Sequence, residues 1–401
     1  MKDGKIGLGI LGLGSRGVFF GGKSFTESGE AYVAAVCDPL SEKVAAAKEC
    51  LGSEIAGYTD IAEFLKDENV DAVIVASPDF AHAENALQVL AAKKHMYLEK
   101  PMAQSIEDCD RIIEAWKGTD TVFMVGLELR YCTLMQECKR LMNEGVIGDI
   151  KIGTAIDNVS VGGNYFYHDT KWRTEKYIKS LMLQKGTHTI DLVNWLVDDS
   201  PVRVMSSMGL DFYGGNEPND KRCRDCEKRD TCPDFISTVQ NTDTEYGRIR
   251  SLVKHIDDKC AFAQEIDTPD NGLIIINYKN GAKICYMECH FTPEYTREFM
   301  FVGTKGKLTA FYDNDENFKI QVWKRGEAEP ETYYPGKVGG SHGGGDVGII
   351  RDFIERVKAN QPGMYGIRGA RDSAAIAIAG LESEKTGMPV NIPLIDESIE
   401  R

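Results

Sequence analysis

Lys100 and His188 are the two side chains in this 401-residue sequence best placed to move a proton. Lys100 stands in Glu99-Lys100-Pro101, directly after the apolar run His95-Met96-Tyr97-Leu98. A lysine at the carboxyl end of a parallel strand lies on the edge where ligands bind. Pro101 restricts Lys100 to an extended backbone, which aims its side chain, and the bond between them is a candidate cis peptide. Beside a cationic ring the ammonium would have a lowered pKa and could exchange a proton near neutral pH. The plainer alternative is a solvated surface charge. His188 recurs with Gln184 and Asp191 at i, i+4 and i+7, so the three share one face of a helix that is otherwise apolar. Three polar groups on such a stripe are costly to bury without a purpose. The plainer alternative is a core histidine hydrogen-bonded to Asp191.

These residues need a scaffold, and the N-terminus supplies one. Gly12-Leu13-Gly14-Ser15-Arg16-Gly17 follows the apolar run 5–11, and the stretch after Gly17 reads as a helix start. That strand–turn–helix context gives a GxGxxG its meaning. Gly12 permits the tight turn, Gly14 lets the backbone approach a pyrophosphate, and Gly17 lets the helix pack on the strand. Free N–H groups at the helix start then face the anion. A second apolar run, 31–37, ends at Asp38. Its carboxylate can accept hydrogen bonds from ribose hydroxyls and would repel a 2′-phosphate, so NAD is expected over NADP.

The chain is long enough for two domains. A net charge of −15 opposes nucleic acid and anionic membrane surfaces as partners. No stretch approaches the ~20 apolar residues of a membrane span. The first strand begins next to Met1, so no signal peptide is expected. Eleven cysteines, several in apolar or helical contexts (Cys37, Cys109, Cys138), suit a reducing cytoplasm better than a disulfide framework.

Strands at 71–76, 95–98 and 121–125 alternate with helices at 80–93 and 105–116, the latter with Ser105 as N-cap. This spacing predicts a parallel, doubly wound sheet. Past Gly126, helices at 134–144 and 181–196 lead into strands at 202–210, 272–278, 282–289, 299–302, 307–311 and 319–322. Consecutive strands without helices between them predict an antiparallel sheet. Helices at 346–359 and 369–385 close the chain, and a polar insertion over 213–260 interrupts the second sheet. The expected division is a nucleotide-binding domain at 1–127 and a substrate and oligomerisation domain at 128–401.

The ordered set of motifs resembles the Gfo/Idh/MocA family, which includes glucose–fructose oxidoreductase and inositol dehydrogenase. It comprises the glycine turn, the strand end at Asp38, Ser77-Pro78 with His82, Glu99-Lys100-Pro101, Gly145-x-Ile147-Gly148 after a helix, and the His188-x-x-Asp191 helix. The resemblance spans nearly the whole chain. It implies a Rossmann domain followed by an α/β domain whose open, mainly antiparallel sheet serves in homo-oligomers. It implies hydride transfer between nicotinamide and a hydroxyl-bearing carbon of a sugar, glycoside or cyclitol. Lys100 matches the lysine that helps move the hydroxyl proton, and His188 the catalytic or substrate-binding histidine. Gly12, Gly14, Ser15, Arg16, Gly17, Asp38, Ser77, Pro78, His82, Glu99 and Lys100 are the expected cofactor contacts. Arg130, Trp172, Arg173, Gln184, Lys185, His188 and His342 are the expected substrate contacts. Many members carry Asp where this chain has Gln184, and a neutral amide cannot take a proton.

Two rival functions share the scaffold. One is a glycoside-cleaving enzyme in which NAD oxidises the sugar transiently and is recycled; the other is a non-catalytic NAD sensor, against which Lys100 and His188 argue. A separate feature is Cys223-x2-Cys226-x5-Cys232 inside the polar insertion, spaced like part of a zinc or iron–sulfur site. A fourth ligand is not evident from the sequence, with Cys260 and His255 as candidates. Free thiols or a redox-formed bridge take precedence there, and no metal is assigned.

Overall fold

The computed structural model describes residues 1–160, 165–237, 243–253, 257–313 and 315–395. Six strands open the chain: β1 (Ile6–Leu11), β2 (Ala31–Cys37), β3 (Ala56–Tyr58), β4 (Ala72–Val75), β5 (His95–Leu98) and β6 (Val122–Val125). Eight build the second half: β7 (Ile150–Asn158), β8 (Pro201–Gly209), β9 (Asn271–Tyr278), β10 (Lys283–Cys289), β11 (Thr296–Gly303), β12 (Gly306–Asp313), β13 (Lys319–Lys324) and β14 (Glu331–Tyr333). Two short strands finish it, β15 (Gly363–Tyr365) and β16 (Val390–Asn391).

The first sheet runs β15-β6-β5-β4-β1-β2-β3, and its pairs are parallel. Strand order reverses between β1 and β4, which opens the crevice where doubly wound sheets bind ligands. Its central strands are buried on both faces, so β1 and β4 read as continuous apolar runs. Ser105 caps the helix Ile106–Trp116, accepting the Asp108 N–H at 3.0 Å. The C-terminal half also returns to this sheet. β15 pairs with β6, and the helix Gly345–Lys358 packs Ile349, Phe353 and Ile354 into the core beneath β1.

The second sheet runs β14-β13-β12-β11-β7-β10-β9-β8-β16. It is antiparallel apart from the β7–β10 pair. The helices Thr187–Val197 and Ile367–Thr386 cover one face. The other face carries exposed Ile152, Met205, Ile275 and Met287. Central β7 lies outside the strands expected from sequence. Its buried positions hold Gly153, Ala155 and Asp157 while Ile152 faces out, so its apolar pattern is inverted.

Candidate active site at the junction of the two sheets

The glycine turn fits an anion held by backbone. Gly12 has φ +95, and a Cβ there would meet the Ser77 backbone nitrogen at 2.5 Å. At Gly17 it would meet the Gly12 carbonyl oxygen at 2.0 Å, whereas at Gly14 it would meet nothing within 4 Å. The turn is therefore closed on the protein side and open at Gly14, the position a pyrophosphate approaches. Ser15 Oγ is buried beside it with no hydrogen-bond partner, an acceptor and donor free for a ligand. The helix expected after the turn is present as the π-type segment Arg16–Lys23. Asp38 is buried at the end of β2, and its carboxylate accepts the Leu13 and Leu40 N–H groups, each at 3.0 Å. It thus fixes the turn while keeping lone pairs for a ribose. Lys43 Nζ stands 3.9 Å away.

Arg16 and Glu99, both expected at the cofactor, form one charged knot. Arg16 Nε donates to Glu99 at 2.6 Å, and its terminal nitrogens reach Asp346 at 3.3 Å and Glu128 at 3.6 Å. The guanidinium also lies 3.5 Å from the centre of the Phe20 ring. His82 is placed differently from expectation. It is buried, and its two ring nitrogens face the carbonyls of Pro101 at 2.7 Å and Ser77 at 2.9 Å. Its ring is therefore taken up in bracing the ends of β4 and β5, and it is not free to bind a ligand.

Lys100 follows β5, and the peptide bond to Pro101 is cis. Its Nζ donates to the main-chain oxygen of Gln184 at 2.7 Å, linking the first sheet to the helix that carries His188. Burial lowers the Lys100 ammonium from its ordinary value; Asp79 opposes this and Lys185 adds to it. The expected helix over 181–196 is in two parts, a π-turn Met182–Gly186 and an α-helix Thr187–Val197. π-turns are frequent at functional sites, and this one presents the buried, unpartnered Gln184 Oε1. His188 is buried, and its Nδ1 has no hydrogen-bond partner. Its pKa is held well below the usual value by burial, then by repulsion from Lys100, Lys185 and His342. Burial and the neighbouring cations thus favour the neutral form of the His188 imidazole.

Asp191 does not serve His188. It receives Arg130 bidentately, at 2.8 and 2.7 Å. Arg130, expected at the substrate, gives Nε and one terminal nitrogen to Asp191 and so pins the His188 helix. Arg173, also expected at the substrate, is corrected to a brace. It is fully buried, donating to Glu265 at 2.9 Å, to Tyr167 O at 3.1 Å and to Cys260 O at 2.9 Å, which leaves no free edge for a sugar. Trp172 packs edge-on against Phe166, with ring centres 6.3 Å apart.

Lys185 lies half-buried with its ammonium 5.5 Å from the centre of the Tyr295 ring. His342 reaches the site from the glycine loop before the helix Gly345–Lys358. Its ring stacks on His188 at 5.4 Å, with Glu128 at 3.4 Å and Asp346 at 3.2 Å. Sequence reasoning missed four contributors: Glu128, Asp346, Asp79 and Arg297. Glu128 is buried at the turn after β6, and its Oε1 lies 3.9 Å from His188 Nδ1. Glu128, His188 and His342 offer ligand atoms within 4.8 Å of one another, near enough to share a cation; the Arg16 guanidinium already supplies positive charge to that carboxylate. Arg297, buried at the start of β11, binds Asp157 and Thr189 through Nε. Its two terminal nitrogens have no hydrogen-bond partner. An inward charge on a strand was the signal for it.

Two family models match this chain. One, described as an oxidoreductase family with an NAD-binding Rossmann fold, matches residues 6–127. The other, described as its C-terminal alpha/beta domain, matches residues 139–392. The putative oxidoreductase YteT of Bacillus subtilis is 25% identical over 348 residues, 79% of each chain. The inositol 2-dehydrogenase of Salmonella typhimurium is 28% identical over 202 residues, 50% of this chain and 55% of that one, so the match spans about half of that relative. Among solved structures, levoglucosan dehydrogenase in complex with NADH and levoglucosan has a TM-score of 0.73 at 18% identity, covering 97% of this chain and 100% of that one. The WlbA dehydrogenase of Bordetella pertussis in complex with NADH and UDP-GlcNAcA gives 0.70 at 18% identity, over 98% and 100%. These likenesses show the shared fold.

Proposed function

The chain belongs to the Gfo/Idh/MocA oxidoreductases, a family with an NAD-binding Rossmann domain and a C-terminal α/β domain, and from that premise we propose an NAD-dependent dehydrogenase that oxidises a hydroxyl-bearing carbon of a sugar, glycoside or cyclitol. The observation that carries this reading is Lys100, at the end of β5, donating to the Gln184 carbonyl of the turn that leads into the His188 helix. NAD, when bound, supplies the hydride acceptor. The chain's own part is to seat the cofactor, orient the hydroxyl and move its proton. The glycine turn and Ser15 hold the phosphates, and Asp38 holds the adenosine ribose. Lys100, already anchored on the Gln184 carbonyl, holds the substrate oxygen and takes its proton, aided by the free Nδ1 of His188. Gln184 Oε1 accepts from a neighbouring hydroxyl. Lys185 and the terminal nitrogens of Arg297 offer further donors to a polyhydroxylated ring.

We also infer a homo-oligomer formed through the outer face of the second sheet, where Ile152, Met205, Ile275 and Met287 stand exposed on neighbouring strands. Eleven free cysteines support a reducing, cytoplasmic location. Among the described residues no helix is long and apolar enough to cross a membrane.

The test is NADH absorbance with purified protein against a panel of sugars, glycosides and inositols, with product identification for the best substrate. Stoichiometric NADH and a carbonyl product support the dehydrogenase. Cleavage or rearrangement of a glycoside with no net NADH supports the recycling enzyme instead. No turnover with any compound supports the sensor.

A further inference from the structure

Four cysteines line one cavity in the polar insertion: Cys223, Cys226 and Cys232 from its outgoing arm and Cys260 from its return. The space inside is about 20 Å³, room for a single water-sized particle. The C-x2-C pair is closed into a tight turn, with the Cys226 N–H donating to Cys223 O at 3.1 Å, and the Cys232 N–H is fixed on Lys228 O at 2.9 Å. The two arms are locked in register. Arg222 and Lys259 form a bridge, the Cys260 N–H donates to Lys221 O at 2.8 Å, and the Cys223 N–H donates to Asp258 O at 2.7 Å. Fully buried Asp258 is gripped by Arg222 at 3.0 Å and Arg224 at 2.6 Å. Backbone hydrogen bonds, and not the thiols, therefore bring the fourth cysteine to the other three. His255, the other candidate fourth ligand from sequence, lies outside the described residues.

The four thiols form no disulfide, and what surrounds them suits thiolates. His168 backs the cavity, and its Nδ1 faces the Lys259 carbonyl. A carbonyl only accepts, so Nδ1 carries the proton. The same N–H reaches Cys223 Sγ at 3.7 Å, a donor aimed at the sulfur from outside the cavity. Main-chain N–H groups add to it, Ile236 at the Cys223 sulfur and Phe262 at the Cys260 sulfur. Arg229, also on the wall, brings positive charge to a site that four thiolates would leave anionic even around a divalent ion. Four thiolates are a soft donor set that takes zinc or an iron–sulfur centre. The size of the space decides between them: it admits one ion and not a cage of irons and sulfides.

We propose that Cys223, Cys226, Cys232 and Cys260 hold one structural zinc ion that staples the outgoing arm of the insertion to its return. Zinc held by four cysteines is tetrahedral and closed, with no position left for substrate, so its part is in folding and not in the redox reaction. A polar segment of this length has little apolar surface of its own, and a metal gives it the cross-link that core-poor segments need.

The test is purification of the full chain under reducing conditions without a metal-affinity step, with zinc, iron and acid-labile sulfide measured. The expected result is about one zinc per chain and no sulfide. Cys226→Ser and Cys260→Ser should each lose most of the zinc, while Cys50→Ser, on a helix of the first sheet's domain, keeps it. On the wild-type chain, removing zinc with a chelator should open residues 213–260 to trypsin, with the cuts mapped by mass spectrometry, and returning zinc should close them. Iron with acid-labile sulfide overturns the proposal, as does protein that takes up no zinc when reduced and supplied with it. Zinc retained in Cys226→Ser but lost in His342→Ala would place the ion on Glu128, His188 and His342 instead. A trypsin pattern unchanged by zinc removal would show that the ion does not hold the arms.

Discussion

At the scale of single residues, the proposed chemistry rests on two nitrogens whose environments differ in kind. Lys100 is buried against a carbonyl, and His188 is buried among cations with its Nδ1 unused. Removing Lys100 leaves the glycine turn untouched, so Lys100→Ala should lose roughly 10²–10⁴-fold in turnover while NAD binding, followed by fluorescence titration, stays nearly unchanged. A loss confined to NAD affinity would move Lys100 to a cofactor role. The pH profile adds a sign. The lysine is lowered from its ordinary range, so alcohol oxidation should rise with pH through a limb below that range as the amine becomes free to accept a proton. That limb should vanish in Lys100→Ala, and a limb that persists assigns the titration elsewhere. His188→Ala should lower turnover and weaken substrate binding together, whereas Gln184→Ala should act mainly on binding. Asp38 makes a separate expectation. Asp38→Ala should narrow the preference for NAD over NADP measured as the ratio of kcat/KM values, and a wild-type preference for NADP would contradict its assignment. Absolute NAD affinity should fall as well, because the same carboxylate holds the Leu13 and Leu40 N–H groups. Lys100 and His188 were legible in sequence because a strand end and a helix stripe are local patterns. Glu128 and Arg297 take their places only when distant segments close on one another, Glu128 against Arg16 and His342 and Arg297 against Asp157, and no local period encodes that.

At the scale of elements, the helix Thr187–Val197 is aimed by a single buried ion pair. Arg130 comes from the turn after β6 and Asp191 from the helix, so their contact sets the angle between the two halves of the site. The packing around it has no slack: a Cβ on Gly369 would lie 1.9 Å from the Arg130 guanidinium and 2.4 Å from Asp191. Arg130→Met leaves a buried carboxylate without its partner, and the expected cost is about 3–5 kcal/mol in denaturant or thermal unfolding. A variant that unfolds like wild type would show that the pair is dispensable. The expected single helix over 181–196 missed the π-turn because apolar spacing alone does not distinguish one extra residue per turn. β7 escaped for the opposite reason. A strand whose inward side holds Gly153, Ala155 and Asp157 shows no inward apolar alternation, and Asp157 is tolerable there only because Arg297 and Thr189 meet it across the core.

At the scale of the whole molecule, the chain leaves the first sheet after β6 and comes back to it. β15 adds a seventh strand, and the helix Gly345–Lys358 brings Asp346 to Arg16 and His342 to His188. Linear patterning divides the sequence near residue 127, but the two halves share this return, and the site lies where they join. The nine-stranded sheet is different in character. Its inner face is sealed by two helices, and its outer face is apolar, as a sheet awaiting a second layer would be. Met205 pairs with Ile275 across β8 and β9, and Met287 with Leu273 across β9 and β10, so the exposed side chains form one continuous patch. A second copy that packs its own sheet here would bury this patch without disturbing the crevice on the other sheet. Ile275→Glu, at 42% exposure, places a charge on the patch and leaves the core intact. It should shift the protein to a smaller species by light scattering on a sizing column, with little change in melting of the subunit itself. An Ile275→Glu protein of unchanged mass would mean that the copies meet elsewhere, and a wild-type monomer would mean that this face has another occupant.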